Sequence, residues 1–368
     1  MKIGILTFHR AHNYGAMLQA YALRHVLESK GLQVEFISYR QPKIEAAYRP
    51  FLFKCSKSVG IIRNAKNFLS ACITLPRRLK RRRGFINFLT THLPESRKYR
   101  KKDLISNELD YDAVFFGSDQ IWTTRFLGTF DDVLWGDIRL KDGRKIAYAP
   151  SMELKSVSDT EKSYIKEHII NFDSISAREM HMAEMLASIT GQSVSTVLDP
   201  TLLCTKDDYT SLVSASKKVP AEPYVLVYQV GHYALVDDVA RKVAGQLHCR
   251  IIEIGSDVSL HSASTYNDGF SPEDFVALIA HAKFVVSCSF HGTAFSIIFR
   301  KPFYSVLIKG IDSRAISLLS QVGLMRCGIR STDDVDPQSM FELDYSAVED
   351  NLSRMRKKSM DYIDNALA

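Results

Sequence analysis

AKFVVSCSFHGTAFSIIFRKPF, residues 282–303, compresses a strand, a sharp turn and a helix into one short run, with His291 at the turn. Phe284 to Cys288 reads as a short buried strand, Gly292 and Thr293 as the turn, and Ala294 to Phe299 as a helix that Lys301 and Pro302 stop. His291 is then expected at the carboxyl end of a strand. In open parallel sheets that edge is where ligands bind, and a helix start beyond it offers backbone N–H groups and partial positive charge to an anion. The segment reads as a phosphate or carboxylate pocket, against the plainer alternative of a turn histidine bonded to backbone.

Working outward, the same alternation recurs. Lys2 to Phe8 is strand-like, Gly15 to Ser29 has helical apolar spacing, and Leu32 to Tyr39 is strand-like again, which makes a βαβ unit. Strand-like runs follow at Ala113 to Phe116 and Lys145 to Ala149, with short ones near Ser174 and Val197. A second series opens at Tyr224 to Val230. It continues through a helix over Leu235 to Leu247, a strand over Arg250 to Ile254 and a helix over Pro272 to Ala282. The polar stretch between Leu203 and Pro223 divides the two series. The expected organisation is a first Rossmann-like domain over 1–210 with a basic helical insertion near 41–108, a second over 211–335, and a helical tail over 336–368.

The insertion is densest at Arg77, Arg78, Lys80, Arg81, Arg82 and Arg83. Its reading is a helix with Leu79, Phe85, Phe88 and Leu89 as the apolar face and a solvated basic face. No zinc-finger spacing or aromatic RNA-binding motif accompanies the charge, so nucleic acid is not an expected partner. Tyr345 to Leu367 reads as an amphipathic helix with Val348, Leu352, Met355 and Ile363 on one side, interrupted by Ser359.

A length of 368 residues suits two ordinary domains, and 46% hydrophobic residues suit fully folded ones. The formal charge of +7 favours an anionic partner without naming it. Six cysteines without CxxC pairing indicate neither a disulfide framework nor a zinc site, and no metal is expected. The opening MKIGILTFHR is too short an apolar run for a signal peptide, and no stretch is long enough to span a bilayer. The expectation is a cytoplasmic protein.

Three further groups of residues could carry chemistry. Asn13, Tyr14, Gly15 and Gln19 follow the first strand. Asn13 can cap the helix or contact a ligand, and Gly15 permits close approach. There is neither a complete GxGxxG nor a Walker loop. In FFGSDQIW, Asp119 follows a buried strand beside Trp122, and a carboxylate there can act as acid or base or simply cap a helix. In SISAREM, Ser176 and Glu179 fit a capping box, which leaves Arg178 in the first turn against the helix dipole, placed to grip an anion. Asp199 and Pro200 in LDPT read as a turn at the domain junction. His9, His12, His181 and His232 have no metal-ligand spacing and read as structural or exposed.

In order, NYGAMLQAYAL, FFGSDQIW, SISAREM, VLDPT, SPEDFVALI and SFHGTAFSIIFRKPF resemble the motifs of the polysaccharide pyruvyl transferase family. The resemblance covers most of the chain. It implies an α/β fold of two Rossmann-like, doubly wound domains facing across a cleft, similar to the glycosyltransferase B architecture. It also implies phosphoenolpyruvate as co-substrate, no further cofactor, and a glycan or lipid-linked sugar as acceptor. The product would be a sugar of a surface glycan carrying a pyruvate ketal. Several members have an arginine two residues before the motif histidine. Here that position is Ser289, so the grip on an anion falls to Arg178, to Arg300 or Lys301, or to the helix start.

The expected roles are His291, Arg178 and Asp119 as catalytic residues, and Ser289, Gly292, Thr293 and Arg178 as donor-binding ones. Asn13, Tyr14, Gly15 and Gln19 would line the acceptor. A nucleotide-sugar glycosyltransferase of the same architecture is the alternative enzyme, and a non-catalytic glycan-binding protein the alternative of another class. The basic insertion could further hold the protein at the inner membrane surface.

Overall fold

A computed structural model describes residues 1–48, 60–124, 127–152, 157–255 and 269–368. The chain divides into two units, one of Met1–Tyr48, Leu89–Cys204 and Asp350–Ala368, the other of Arg49–Phe88 and Thr205–Glu349. The basic segment up to Phe88 thus groups with the second unit, and most of the terminal helix with the first.

The first unit holds β1 (Lys2–Leu6), β2 (Gln33–Tyr39), β3 (Glu95–Tyr99), β4 (Glu108–Leu109), β5 (Ala113–Phe116), β6 (Arg139–Leu140), β7 (Arg144–Ala147), β8 (Ser174–Ala177) and β9 (Ser195–Thr196). Seven of them form a sheet in the order β3-β2-β1-β5-β7-β8-β9, while β4 pairs with β6 apart from it. The sheet is parallel throughout. From β1 the chain winds outward to β2 and β3, then returns to lay β5 on the other side of β1. This reversal is a switch point, where a crevice opens at the carboxyl ends of the two neighbouring strands. Ala113 to Phe116 are all buried because helices cover both faces of a parallel sheet.

The second unit repeats the device with β10 (Tyr224–Gln229), β11 (Arg250–Gly255), β12 (Phe284–Ser287), β13 (Phe303–Val306) and β14 (Gly328–Ile329), in the order β11-β10-β12-β13-β14. All four pairings are parallel. The order reverses between β10 and β12. The fold class is therefore the expected one, α/β with two Rossmann-like parallel sheets.

Local differences from the sequence reading have clear causes. The helix expected over Ala294–Phe299 begins earlier and runs Phe290–Ile298, with Ser289 in extended conformation as its N-cap. Gly292 and Thr293 thus lie in the helix, not in a turn. The capping box at Ser176 and Glu179 does not form. Ser176 belongs to β8, where its hydroxyl accepts from Ala149 N and donates to Ala147 O, and Glu179 itself is the N-cap of the helix Met180–Thr190. In the helix Tyr345–Leu367, Ser359 continues the buried side with Leu352 and Ile363 instead of interrupting it, accepting from Leu198 N and donating to Met355 O. Leu79 is 47% exposed and lies off the face that buries Phe85, Phe88 and Leu89.

Aromatic packing closes each core. Trp122 stacks on Trp135 at 4.3 Å in the first unit, and Phe275 meets both Tyr228 and Phe295 edge-on in the second. Phe275→Ala is expected to destabilise the second unit by roughly 3–5 kcal/mol. Ile170→Ala, at a 71% exposed position, should change stability by less than about 0.5 kcal/mol. Denaturant unfolding of both variants distinguishes this packing from one in which Phe275 is peripheral.

Candidate active site

In the first unit, the crevice between β1 and β5 is laced by one side chain. Gln19 is fully buried on the helix Tyr14–Ser29; its amide donates to Thr7 Oγ1 at 3.1 Å and to Ala16 O at 2.8 Å. Its carbonyl accepts from Ser118 N at 3.1 Å, and Thr7 Oγ1 donates to Ser118 O. Gln19 therefore holds the first residues beyond two strands in register. Asn13 caps the same helix, accepting from Ala16 N at 3.2 Å, and Tyr14 and Gly15 are buried in its first turn.

Gly117 is required at the end of β5, because at φ 117° a side chain would strain the backbone and a Cβ would overlap Tyr148 O. The residue after next, Asp119, is partly exposed at φ 72°, and its carbonyl accepts from Ser151 N. Asp119 does not cap a helix. Trp122 is committed to the core, its indole donating to Leu134 O.

Beyond β8 lies Arg178, buried with two carboxylates. Its Nε donates to Glu179 Oε1 at 2.8 Å and Nη1 donates to Asp199 Oδ2 at 2.9 Å. Burial opposes the guanidinium charge, but Glu179, Asp199 and Asp119 outweigh it and hold the pKa above its ordinary value. Ser151 Oγ also donates to Glu179 Oε1. Asp199, read from sequence as a turn, is instead the N-cap of the helix Pro200–Leu203 and accepts from Thr201 N, Thr201 Oγ1 and Arg178. Two carboxylates thus bond the guanidinium directly, and Asp119 acts on it from farther away.

The same edge bears a pocket beside Thr7, Arg10, Tyr39, Gln41 and Glu45. Its charges are largely matched internally. Arg10 bonds both oxygens of Glu95, and Arg40 pairs with Glu45 at 2.8 Å. Burial opposes ionisation of Glu95, but hydrogen bonds from His9 and Arg10 prevail and lower its pKa to about 2. His9 is thus structural, as expected, and His181 and His232 are exposed.

In the second unit, the helix Phe290–Ile298 starts immediately beyond β12 at the other switch point. Ser289, its N-cap, does not spend its hydroxyl on capping. His291 is 6% exposed in the first turn, edge-on to Phe290 at 5.1 Å. Gly292 packs on Ser287, whose hydroxyl accepts from Ser289 N and donates to Tyr228 O. A Cβ at Gly292 would lie 2.7 Å from Ser287 Cβ and overlap its Oγ. Thr293 turns inward: its hydroxyl meets Ser289 O and Ser305 Oγ, and its N–H bonds Ser289 O.

Burial pushes the Cys288 thiol up to about 11, which keeps it protonated and poorly nucleophilic near neutral pH. Arg300 and Lys301 lie past the far end of this helix, where β13 begins, at the edge opposite the ligand crevice. Arg300 pairs with Glu349 at 3.5 Å and Lys301 donates to Ala280 O. The helix start in SPEDFVALI is occupied by its own capping box, Ser271 with Asp274, and Asp274 also takes Lys218.

The sequence reading missed Glu179 as a partner of Arg178, and likewise Asp199, Ser118, Ser151 and Ser287. The available signal was position alone, a polar residue soon after each apolar strand. Among the described residues, no cluster of three or more His, Cys, Asp or Glu side chains could hold a metal ion, and no helix is long and apolar enough to cross a membrane.

Two Rossmann-like parallel sheets with polar groups gathered at their carboxyl edges define an α/β protein of glycosyltransferase B-like fold. The chain belongs to the polysaccharide pyruvyl transferase family, whose model matches residues 13–309. This membership makes it a transferase of polysaccharide biosynthesis. No curated protein matches the chain. Among solved structures it is similar to UDP-N-acetylglucosamine 2-epimerase from Rickettsia bellii, with 11% identity, 100% of this chain and 97% of that one covered, and a TM-score of 0.50. The UDP-GlcNAc 2-epimerase of Methanocaldococcus jannaschii matches at 11% identity, covering 96% and 93%, with a TM-score of 0.48. The E. coli heptosyltransferase WaaC with ADP matches at 13%, covering 95% and 100%, with a TM-score of 0.37. The first is a likeness of fold alone.

Gly292→Ala is expected to cost roughly 1–3 kcal/mol through overpacking against Ser287 and to displace the first helical turn that carries His291. A melting temperature equal to that of the unaltered protein would contradict this packing.

Proposed function

We propose that this protein transfers a pyruvyl group from phosphoenolpyruvate to a sugar of a surface glycan or its lipid-linked precursor, closing a pyruvate ketal across two hydroxyls. Family membership supports the reading. The observation that carries it is His291 in the first turn of a helix that starts directly beyond β12. The first amides of a helix have no partner within it, and together with the helix dipole they favour an anion.

The reaction needs an acid, a base and stabilisation of charge. A proton joins the methylene carbon of the enol phosphate, the central carbon forms one bond to each of two sugar oxygens, and its bond to the phosphate oxygen breaks. Of the two hydroxyl protons, one balances the new methyl group and the other leaves with phosphate. His291 binds the donor phosphate and serves as general acid or base, with Ser289 and the backbone at Gly292 and Thr293 completing the phosphate site. Arg178, a cation fixed by Glu179 and Asp199, clamps the donor's carboxylate or phosphate. Asp119 orients or deprotonates an acceptor hydroxyl.

Asn13, Tyr14 and Gly15 serve the acceptor, with Gln19 acting through the positions of Thr7 and Ser118. A neutral, hydroxyl-rich acceptor suits the first-unit edge. There carboxylates outnumber the buried cation, and the neighbouring pocket has its charges matched. Phosphoenolpyruvate gains little from that edge except through Arg178.

Thermal denaturation with phosphoenolpyruvate and, separately, with a panel of nucleotide sugars tests the donor, because a ligand that binds only the folded state raises the melting temperature. Phosphoenolpyruvate should stabilise the protein, and His291→Gln should abolish the shift while retaining the unliganded melting temperature. Stabilisation by a nucleotide sugar alone would replace this reading with a glycosyltransferase.

A further inference from the structure

We propose that the helix Ile61–His92 carries a surface that lies on anionic lipid bilayers. One side of this helix is committed to the fold: Ala71, Thr74, Phe85 and Phe88 are buried. At 3.6 residues per turn these four project within one sector. On the opposite side, roughly half a turn around, lies a second apolar stripe that an ordinary surface helix would not display.

Leu69, Ile73 and Leu79 are 60%, 55% and 47% exposed, with Phe68 and Cys72 exposed beside them. The exposed Arg83 extends this stripe, and Arg77 and Arg82, also exposed, flank it. The helix contains neither Asp nor Glu, so its own sequence supplies no acid to neutralise these cations. Exposed aliphatic and aromatic groups bordered by arginines fit the boundary of an anionic bilayer. There the apolar groups enter the acyl region and the guanidiniums meet phosphate headgroups.

Nucleic acid would use the charge but not the apolar stripe. The buried side of the helix packs at Gly84 on Ser271, but the exposed stripe contains none of the residues assigned to donor or acceptor, so the inference stands apart from the choice of donor. It would bring the protein to a surface where lipid-linked sugars are held.

The test is flotation of the full-length protein with phosphatidylcholine vesicles, with and without phosphatidylglycerol, at low and high salt. Two variants accompany it, Leu69→Glu/Ile73→Glu and Arg82→Glu/Arg83→Glu. All four positions are exposed, so circular dichroism and the melting temperature should match the unaltered protein. The unaltered protein should float with phosphatidylglycerol vesicles and lose binding as salt rises, and each double variant should bind roughly tenfold more weakly or less. Absence of flotation, or flotation of either variant equal to that of the unaltered protein, would overturn the proposal. So would retention by RNA or DNA through the arginines without vesicle binding, which would reassign the surface to nucleic acid.

Discussion

A parallel sheet covered on both faces leaves almost no room for chemistry within its strands. In β5 and β12 every residue is buried. Polar groups can meet a ligand only where the backbone leaves the sheet, and in each unit the reversal of strand order parts the connections at the carboxyl edge. The catalytic candidates obey this constraint. Asp119 comes soon after β5, Arg178 directly after β8, and His291 shortly after β12. The small contacts at these ends, such as Gln19 joining Thr7 to Ser118 and Ser287 joining Ser289 to Tyr228, convert strand register into side-chain position.

The two edges differ in electrostatic character. In the first unit a buried guanidinium sits among carboxylates, and removing one partner from such a group typically costs about 3–5 kcal/mol because the remaining charge stays buried. Arg178 is thus both a structural tie and a fixed cation. In the second unit the run Ser287–Thr293 beyond β12 brings serines, a histidine and a helix start with no carboxylate, while at the end of neighbouring β10 Gln229 bonds Asp237 and Glu253. Such a site suits a negatively charged group, whereas the first suits hydroxyls that must lose protons.

Much of this was legible in the sequence because apolar runs ending in polar residues mark strands that feed a ligand edge. Strand positions, the α/β class and the place of His291 just beyond β12 follow from that pattern. Pairing across long separations was not legible. Arg178 was noticed as a cation badly placed for a helix start, but nothing local revealed that Asp199 would reach it. The arginine now explains the aspartate more than any turn does. The glycine at 292 was misread for a similar reason, since its need for small size comes from Ser287, which only packing brings close. Leu79 falls off the buried face because six residues of ordinary helix turn it about 120° away from Phe85.

The most direct test of the account combines phosphoenolpyruvate with saccharide fragments of a surface glycan and follows inorganic phosphate together with the mass of the saccharide. The account predicts phosphate release that requires the saccharide, is lost in His291→Gln, and is matched mole for mole by a saccharide heavier by pyruvic acid less water. Phosphate release without that gain in mass, or sugar transfer from a nucleotide donor with no reaction of phosphoenolpyruvate, would contradict it.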